Sequence, residues 1–298
     1  MNADTPTADP PRRRRVLVAL DAADDAQRLL EIAAEMAQRM RADLMGLFIE
    51  DADLLGLGDN PLVRTVSSFG GVSGAIRRGV IEQAMRRQST VARLALEQAA
   101  GTRRIQASFE VRRGRLAAAL EAYAETDFIL VRRAAPNVQL TAATHRAQIS
   151  AVTRQVVTAA RRPVIVLDMR WAATAPSFGR IATLYDGSPE TQKALLAAAE
   201  IADRRQGDGI SIVPIATSEA DADALARQAQ DILRPLGHQP HIAPHVTPDL
   251  DALCVMCAQP GGAPHSGVLV LHADHALLQG DAMTRLLETI DCSVMVVR

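Results

Sequence analysis

The chain is written twice. Arg15-Val16-Leu17-Val18-Ala19-Leu20-Asp21, followed by an Ala/Leu-rich helical stretch, returns as Arg180-Ile181-Ala182-Thr183-Leu184-Tyr185-Asp186-Gly187-Ser188, followed by another. Each copy closes on a second apolar strand, Pro163-Val164-Ile165-Val166-Leu167 in the first half and Ser293-Val294-Met295-Val296-Val297 in the second. The period is about half the chain, far longer than the roughly 20–50 residues of a solenoid unit, so the repeat marks duplicated domains. A length of 298 residues also suits two domains of about 150.

Within each copy, strands alternate with helices, which implies a parallel sheet with helices on its faces. In the first half Val16–Leu20 reads as a strand. Leu29, Leu30, Ile32, Ala33, Met36, Ala37 and Met40 then recur at three- and four-residue spacing as one buried helical stripe. Strands are expected again at Leu44–Ile49, near Ile105–Val111, at Phe128–Val131 and from Val164, with helices at 80–99, 115–124 and 149–160 between them. The second half repeats the order with strands at 181–185, 210–215, 241–246, 268–271 and 294–297, and helices at 189–204, 220–233, 249–258 and 282–289. Pro244 makes 241–246 the weakest of these strands. The expected organisation is a flexible tail at 1–14, a first domain at 15–169, a linker at 170–179 and a second domain at 180–298. Residues 50–79 carry six glycines and one proline and are long for a connection within a compact domain. They are read as a mobile or partner-binding segment.

Composition narrows the function classes. Hydrophobic residues make up 48% of the chain and charged residues 22%, and no apolar run approaches the roughly 18 residues of a membrane span. No membrane insertion is expected. Arg12 to Arg15 run directly into the first strand rather than into an apolar signal region, and the only cysteines are Cys254, Cys257 and Cys292. A cytoplasmic protein without a disulfide framework is expected. A net charge of −1 gives no bulk electrostatic reason to bind nucleic acid, which needs a basic surface.

The first-strand endings Leu20-Asp21 and Tyr185-Asp186-Gly187-Ser188, together with the closing strand Arg162-Pro163-Val164-Ile165-Val166, make the chain resemble a tandem universal stress protein. The resemblance covers both halves. It implies two open, five-stranded, Rossmann-like parallel-sheet domains, similar to adenine nucleotide alpha hydrolases, with helices on both faces. It further implies that the halves pair through their last strands, bringing Val164–Leu167 near Val294–Val297, either within one chain or between the chains of a homodimer.

Nucleotide-binding members of that family carry an Asp at the end of the first strand and a Gly-x2-Gly-x9-Gly-Ser/Thr loop after the fourth. Glycines there let backbone N–H groups approach the phosphates. Asp21 and Asp186 stand at the Asp position, but no glycine lies between Gly114 and Gly179. In the second half Gly280 matches the final glycine, yet Asp281 follows it where Ser or Thr belongs, and 271–279 contains no glycine. A carboxylate there repels a triphosphate. Neither half is therefore expected to bind ATP in the family's way, no cofactor is expected, and Asp21 and Asp186 read as strand-end and N-cap residues.

Other constellations have a bland reading beside the functional one. Cys254-Val255-Met256-Cys257 is a CxxC suited to metal or redox chemistry, but Leu250, Leu253, Cys254 and Cys257 share one helical face and read first as core, with metal or redox chemistry as the lesser alternative. Pro240 and Pro244 keep His238, His241 and His245 from converging on a helix. His272 and His275 lie just past a strand end, where open α/β sheets place ligands. Arg132 and Arg133 end the fourth strand where the family's glycines would begin, either as an anion site or as a solvated pair. Gly70-Gly71-Val72-Ser73-Gly74 lacks the Lys-Ser/Thr of a phosphate loop. No Ser/His/Asp set or HExxH supports an enzyme. The expectation is a non-catalytic stress-response protein that contacts an unknown protein partner, in which 50–79 is the candidate surface. The alternative is an ATP or small-anion sensor using Asp21, Asp186, Arg132 and Arg133.

Overall fold

The computed structural model describes residues 14–20, 26–57, 64–66, 72–75, 78–114, 116–123, 126–133, 151–168, 180–202, 209–258, 267–290 and 292–298. The apolar runs form one ten-stranded sheet. In the first half β1 (Arg15–Leu20), β2 (Asp43–Asp51), β5 (Ala107–Gly114), β6 (Phe128–Arg132) and β7 (Val164–Leu167) lie parallel in the order β5-β2-β1-β6-β7. In the second, β8 (Arg180–Tyr185), β9 (Ile210–Pro214), β10 (His241–Ile242), β11 (Gly267–His272) and β12 (Ser293–Val297) repeat that topology as β10-β9-β8-β11-β12. Strands buried on both faces read as nearly continuous apolar runs, and β6, β7, β9, β11 and β12 are buried along their whole length with a polar residue only at Arg132, Ser211, His272 and Ser293.

Alternate residues of these strands feed two cores, because successive side chains point to opposite faces. Val16, Val18, Ile181, Val268 and Met295 pack beneath α1 (Ala26–Met40), α3 (Arg78–Arg103), α6 (Pro189–Ile201) and α7 (Glu219–Leu233), which supply Leu29, Leu96, Leu195 and Leu233. Leu17, Ile129, Val166, Leu269 and Val296 face α4 (Leu116–Glu121), α5 (Ala151–Ala159), α8 (Leu250–Ala258) and α9 (Ala282–Thr289), with Val156, Leu253 and Leu286 among the contacts. Helices thus cover both faces, as the alternating pattern required. Among the described residues no helix is long and apolar enough to cross a membrane.

The two half-sheets join where the resemblance placed the joint. β7 and β12 run antiparallel, with Val166 opposite Val294, Ile165 opposite Met295 and Val164 opposite Val296. Side chains tie the seam from both directions. The Ser293 hydroxyl accepts from the Asp168 N–H at 3.1 Å, and Arg298, just past β12, donates to the carbonyls of Val157 and Thr158 at the end of α5. A cation on those last carbonyls also suits the negative end of the helix dipole.

Two sequence readings are revised. The 50–79 stretch contains more regular structure than its glycines suggest: β2 runs on to Asp51, α2 spans Ala52–Leu57, and β3 (Arg64–Val66) pairs antiparallel with β4 (Val72–Ala75) as a separate small sheet. Pieces of three, four and six residues are too short to produce a periodic signal. The expected strand at 241–246 shrinks to His241–Ile242 plus a single bridge from Val246 to Ile215, since Pro244 has no N–H to give the ladder. The linker 170–179 and the tail 1–13 lie outside the described residues.

Candidate functional site at the strand ends of the second half

The polar groups converge where β8 turns into α6. Asp186 follows the last residue of β8, and Gly187 makes the turn at φ +81°, a conformation that favours glycine. A Cβ there would also stand 3.1 Å from the Leu225 side chain. Ser188 is extended, and its Oγ accepts from the Thr191 N–H while its carbonyl accepts the first helical bond, from Gln192. Ser188, not Asp186, is therefore the N-cap, and the N-cap reading of Asp186 is corrected: the Gly187 turn moves the first helical carbonyl two residues on.

Asp186 instead anchors a network. One carboxylate oxygen accepts from the Ser188 N–H at 2.9 Å and the Thr191 hydroxyl at 2.7 Å. The other lies 3.2 Å from Nε2 of His275. His275 is buried and caps a short 3-10 turn at Ala276–Leu278, its Nδ1 accepting from the Leu277 N–H at 3.2 Å. With Nδ1 an acceptor, Nε2 carries the proton and the ring donates to Asp186. Burial pushes the Asp186 carboxyl upward, but the hydrogen bonds from Ser188 and Thr191 and the field of His275 outweigh it and hold the carboxyl below its ordinary value.

His272, the last residue of β11, is 3% exposed. Its Nδ1 accepts from the Asp274 N–H at 3.2 Å, while its buried Nε2 has no partner among the described residues. Burial foremost, and then the nearby Lys193, lowers its pKa below the ordinary 6.5. The unfolded ring takes up a proton more readily than the folded one, so the neutral ring's contribution to stability is complete above pH 6.5 and is lost as pH falls through the depressed folded value. His272→Leu should flatten the decline in melting temperature between neutrality and about pH 5; an unchanged slope would place the acid sensitivity on other groups.

The remaining candidates stand apart from this network. Asp21 lies outside the described residues. Arg133 is buried, forms an ion pair with Asp168 at 3.1 Å, and donates to the carbonyls of Ile290 and Cys292 across the seam. Arg132 is also buried, and its carbonyl accepts from the Thr153 hydroxyl at 2.5 Å. Neither arginine is a solvated strand-end group. Gly280 has φ +63° and leads into α9, with Asp281 at its N-cap position making no side-chain cap bond. Cys254 is buried in the core beside Leu253, and burial foremost raises its thiol pKa; the Cys257 side chain lies outside the described residues. Among those residues, no group of three or more His, Cys, Asp or Glu is placed to hold a metal. The Asp186–His275 bond spans 89 residues. The location of His275 past a strand end was the only sequence signal for it.

No family model and no curated protein matches the sequence. Solved structures do match. A universal stress protein from Archaeoglobus fulgidus DSM 4304 aligns over 95% of this chain and 98% of its own, with 14% identity and a TM-score of 0.68. The fold is that of a tandem universal stress protein. The universal stress protein UspA from Lactobacillus plantarum covers 53% of this chain and 100% of its own at 23% identity and a TM-score of 0.36. The cytoplasmic domain of a prokaryotic cation chloride cotransporter covers 96% of this chain and 95% of its own at 12% identity and a TM-score of 0.47. The universal-stress fold sets Asp186, His272 and His275 together at the carboxyl ends of the second half's central strands, where open α/β sheets hold ligands.

Proposed function

We propose that this chain is a non-catalytic regulatory protein of the universal-stress type, acting through contact with another protein, whose second nucleotide site is filled by its own side chains. One observation carries this reading: both oxygens of Asp186 are engaged internally, by Ser188, Thr191 and His275. In the nucleotide-binding pattern of the resembled family, that Asp contacts the ligand. Beside it, the buried rings of His272, at the end of the half's fourth strand, and His275, just past it, occupy space at the strand ends where open α/β sheets hold ligands.

The small-anion alternative is weakened in the first half by Arg133, whose charge is already matched by Asp168. Protein purified without nucleotide should release no stoichiometric ATP on heating, as read by mass spectrometry, and should give no heat on titration with Mg-ATP. Stoichiometric ATP or micromolar binding would replace this reading with a nucleotide sensor.

A further inference from the structure

We infer that the outer edge of β5 is a self-complementary surface on which a second copy of this chain docks, extending the ten-stranded sheet across a two-fold axis. The sheet has two ends. One is β10, only two residues long. The other is β5, with eight residues from Ala107 to Gly114, and among the described residues no strand pairs with its outer side. The closing strands β7 and β12 are consumed by each other, so neither is available to a second copy. A long edge with unpaired N–H and C=O groups is a template for another strand unless something blunts it.

The side chains on that edge select one partner and one register. A two-fold axis normal to the sheet makes the added strand antiparallel and keeps each residue on its own face, so the axis passes through a residue. An axis at Glu110 would oppose two glutamates, and one at Arg112 would oppose two arginines. An axis at Phe109 leaves Arg112 with no charge opposite. At Val111 the axis sets Glu110 against the partner's Arg112 and Arg112 against the partner's Glu110, with valine facing valine between them. Opposite charges and β-branched pairs stabilise directly opposed positions, and like charges destabilise them.

Glu110 and Arg112 are already held on one face. Arg112 lies 2.6 Å from Glu110, and the Tyr123 hydroxyl accepts from Arg112 Nε at 3.2 Å and donates to Glu110 at 2.5 Å. Pre-positioned groups lose less side-chain freedom on pairing. The bordering helix adds apolar surface. α3 packs on β2 and β5, and its exposed side carries Val80, Val91 and Leu94, each at least 60% exposed. At 3.6 residues per turn these fall within roughly 60° of one another. The axis through Val111 places the two copies of α3 on the same face of the extended sheet.

The test uses the full chain in sedimentation equilibrium, together with oxidative crosslinking of Val111→Cys. A concentration-dependent dimer is expected, and Val111→Cys should form a disulfide between its two copies, mapped by mass spectrometry. Arg112→Glu should weaken the dimer about tenfold or more by opposing like charges, and Glu110→Arg with Arg112→Glu should restore it. Circular dichroism melts check that each variant folds. A monomer at every concentration up to about 1 mM overturns the inference. So does a dimer that Arg112→Glu leaves intact and Val111→Cys fails to crosslink.

Discussion

Arg133→Ala should lower folding stability by about 3–5 kcal/mol, seen as a large drop in the urea midpoint. Arg133 is 2% exposed and Asp168 4%, so truncation takes the Arg133 charge away from a buried carboxylate. It also removes the hydrogen bonds Arg133 gives to the carbonyls of Ile290 and Cys292. The loss comes mainly from the buried Asp168 charge that no longer faces Arg133 rather than from the value of the pair itself. Arg133→Met combined with Asp168→Leu should therefore recover most of it, since a packed apolar pair replaces a buried ion pair at little net cost. The dependence on urea concentration adds a second readout. Its slope follows the surface exposed on unfolding, so an unchanged slope means the halves still unfold together, while two separate transitions mean this contact couples them. A wild-type midpoint for Arg133→Ala would mean that the Arg133–Asp168 pair contributes little to folding.

Gly267→Ala should cost at least about 3 kcal/mol, although it adds one methyl group. Gly267 opens β11 and pairs with Arg180 of β8. A Cβ built there would stand 1.7 Å from the Arg180 carbonyl oxygen. That contact is with backbone, so no rotamer change relieves it, and the two central strands of the second half must separate locally. The expected result is a low soluble yield and a depressed midpoint. A variant that folds with wild-type stability would require β8 and β11 to be spaced more widely at this point.

The fold was readable because duplicated apolar runs such as Val16–Leu20 and Ile181–Tyr185 carry their own strand signal, and the Leu29-to-Met40 stripe carries a helical one. The chain order of strands and helices then constrains the topology. What escaped reading depended on contacts between distant residues. Arg133 sits at a strand end by its neighbours in sequence, but its partners at Ile290 and Cys292 are 157 and 159 residues away. Ser188 as the N-cap depended on the dihedral angles of Gly187, which the Asp-Gly-Ser string leaves open. The His275–Asp186 bond needs β11 to lie beside β8, a neighbour relation that follows from topology rather than from any local motif. The pieces between residues 50 and 79 escaped because a three-residue strand carries no period.

The antiparallel joint of β7 and β12 also changes what substitution can do to this molecule. In a pair of identical chains every change appears twice, once on each side of the axis, and must be tolerable in both places. Here the two sides are encoded separately. Arg133 has Ala273 as its counterpart after the matching strand of the other half, and Asp168 has Arg298. The seam thus holds a lock on one side and a different one on the other. Joining the halves in one chain frees each strand-end cluster to specialise while its counterpart keeps the shared sheet in place.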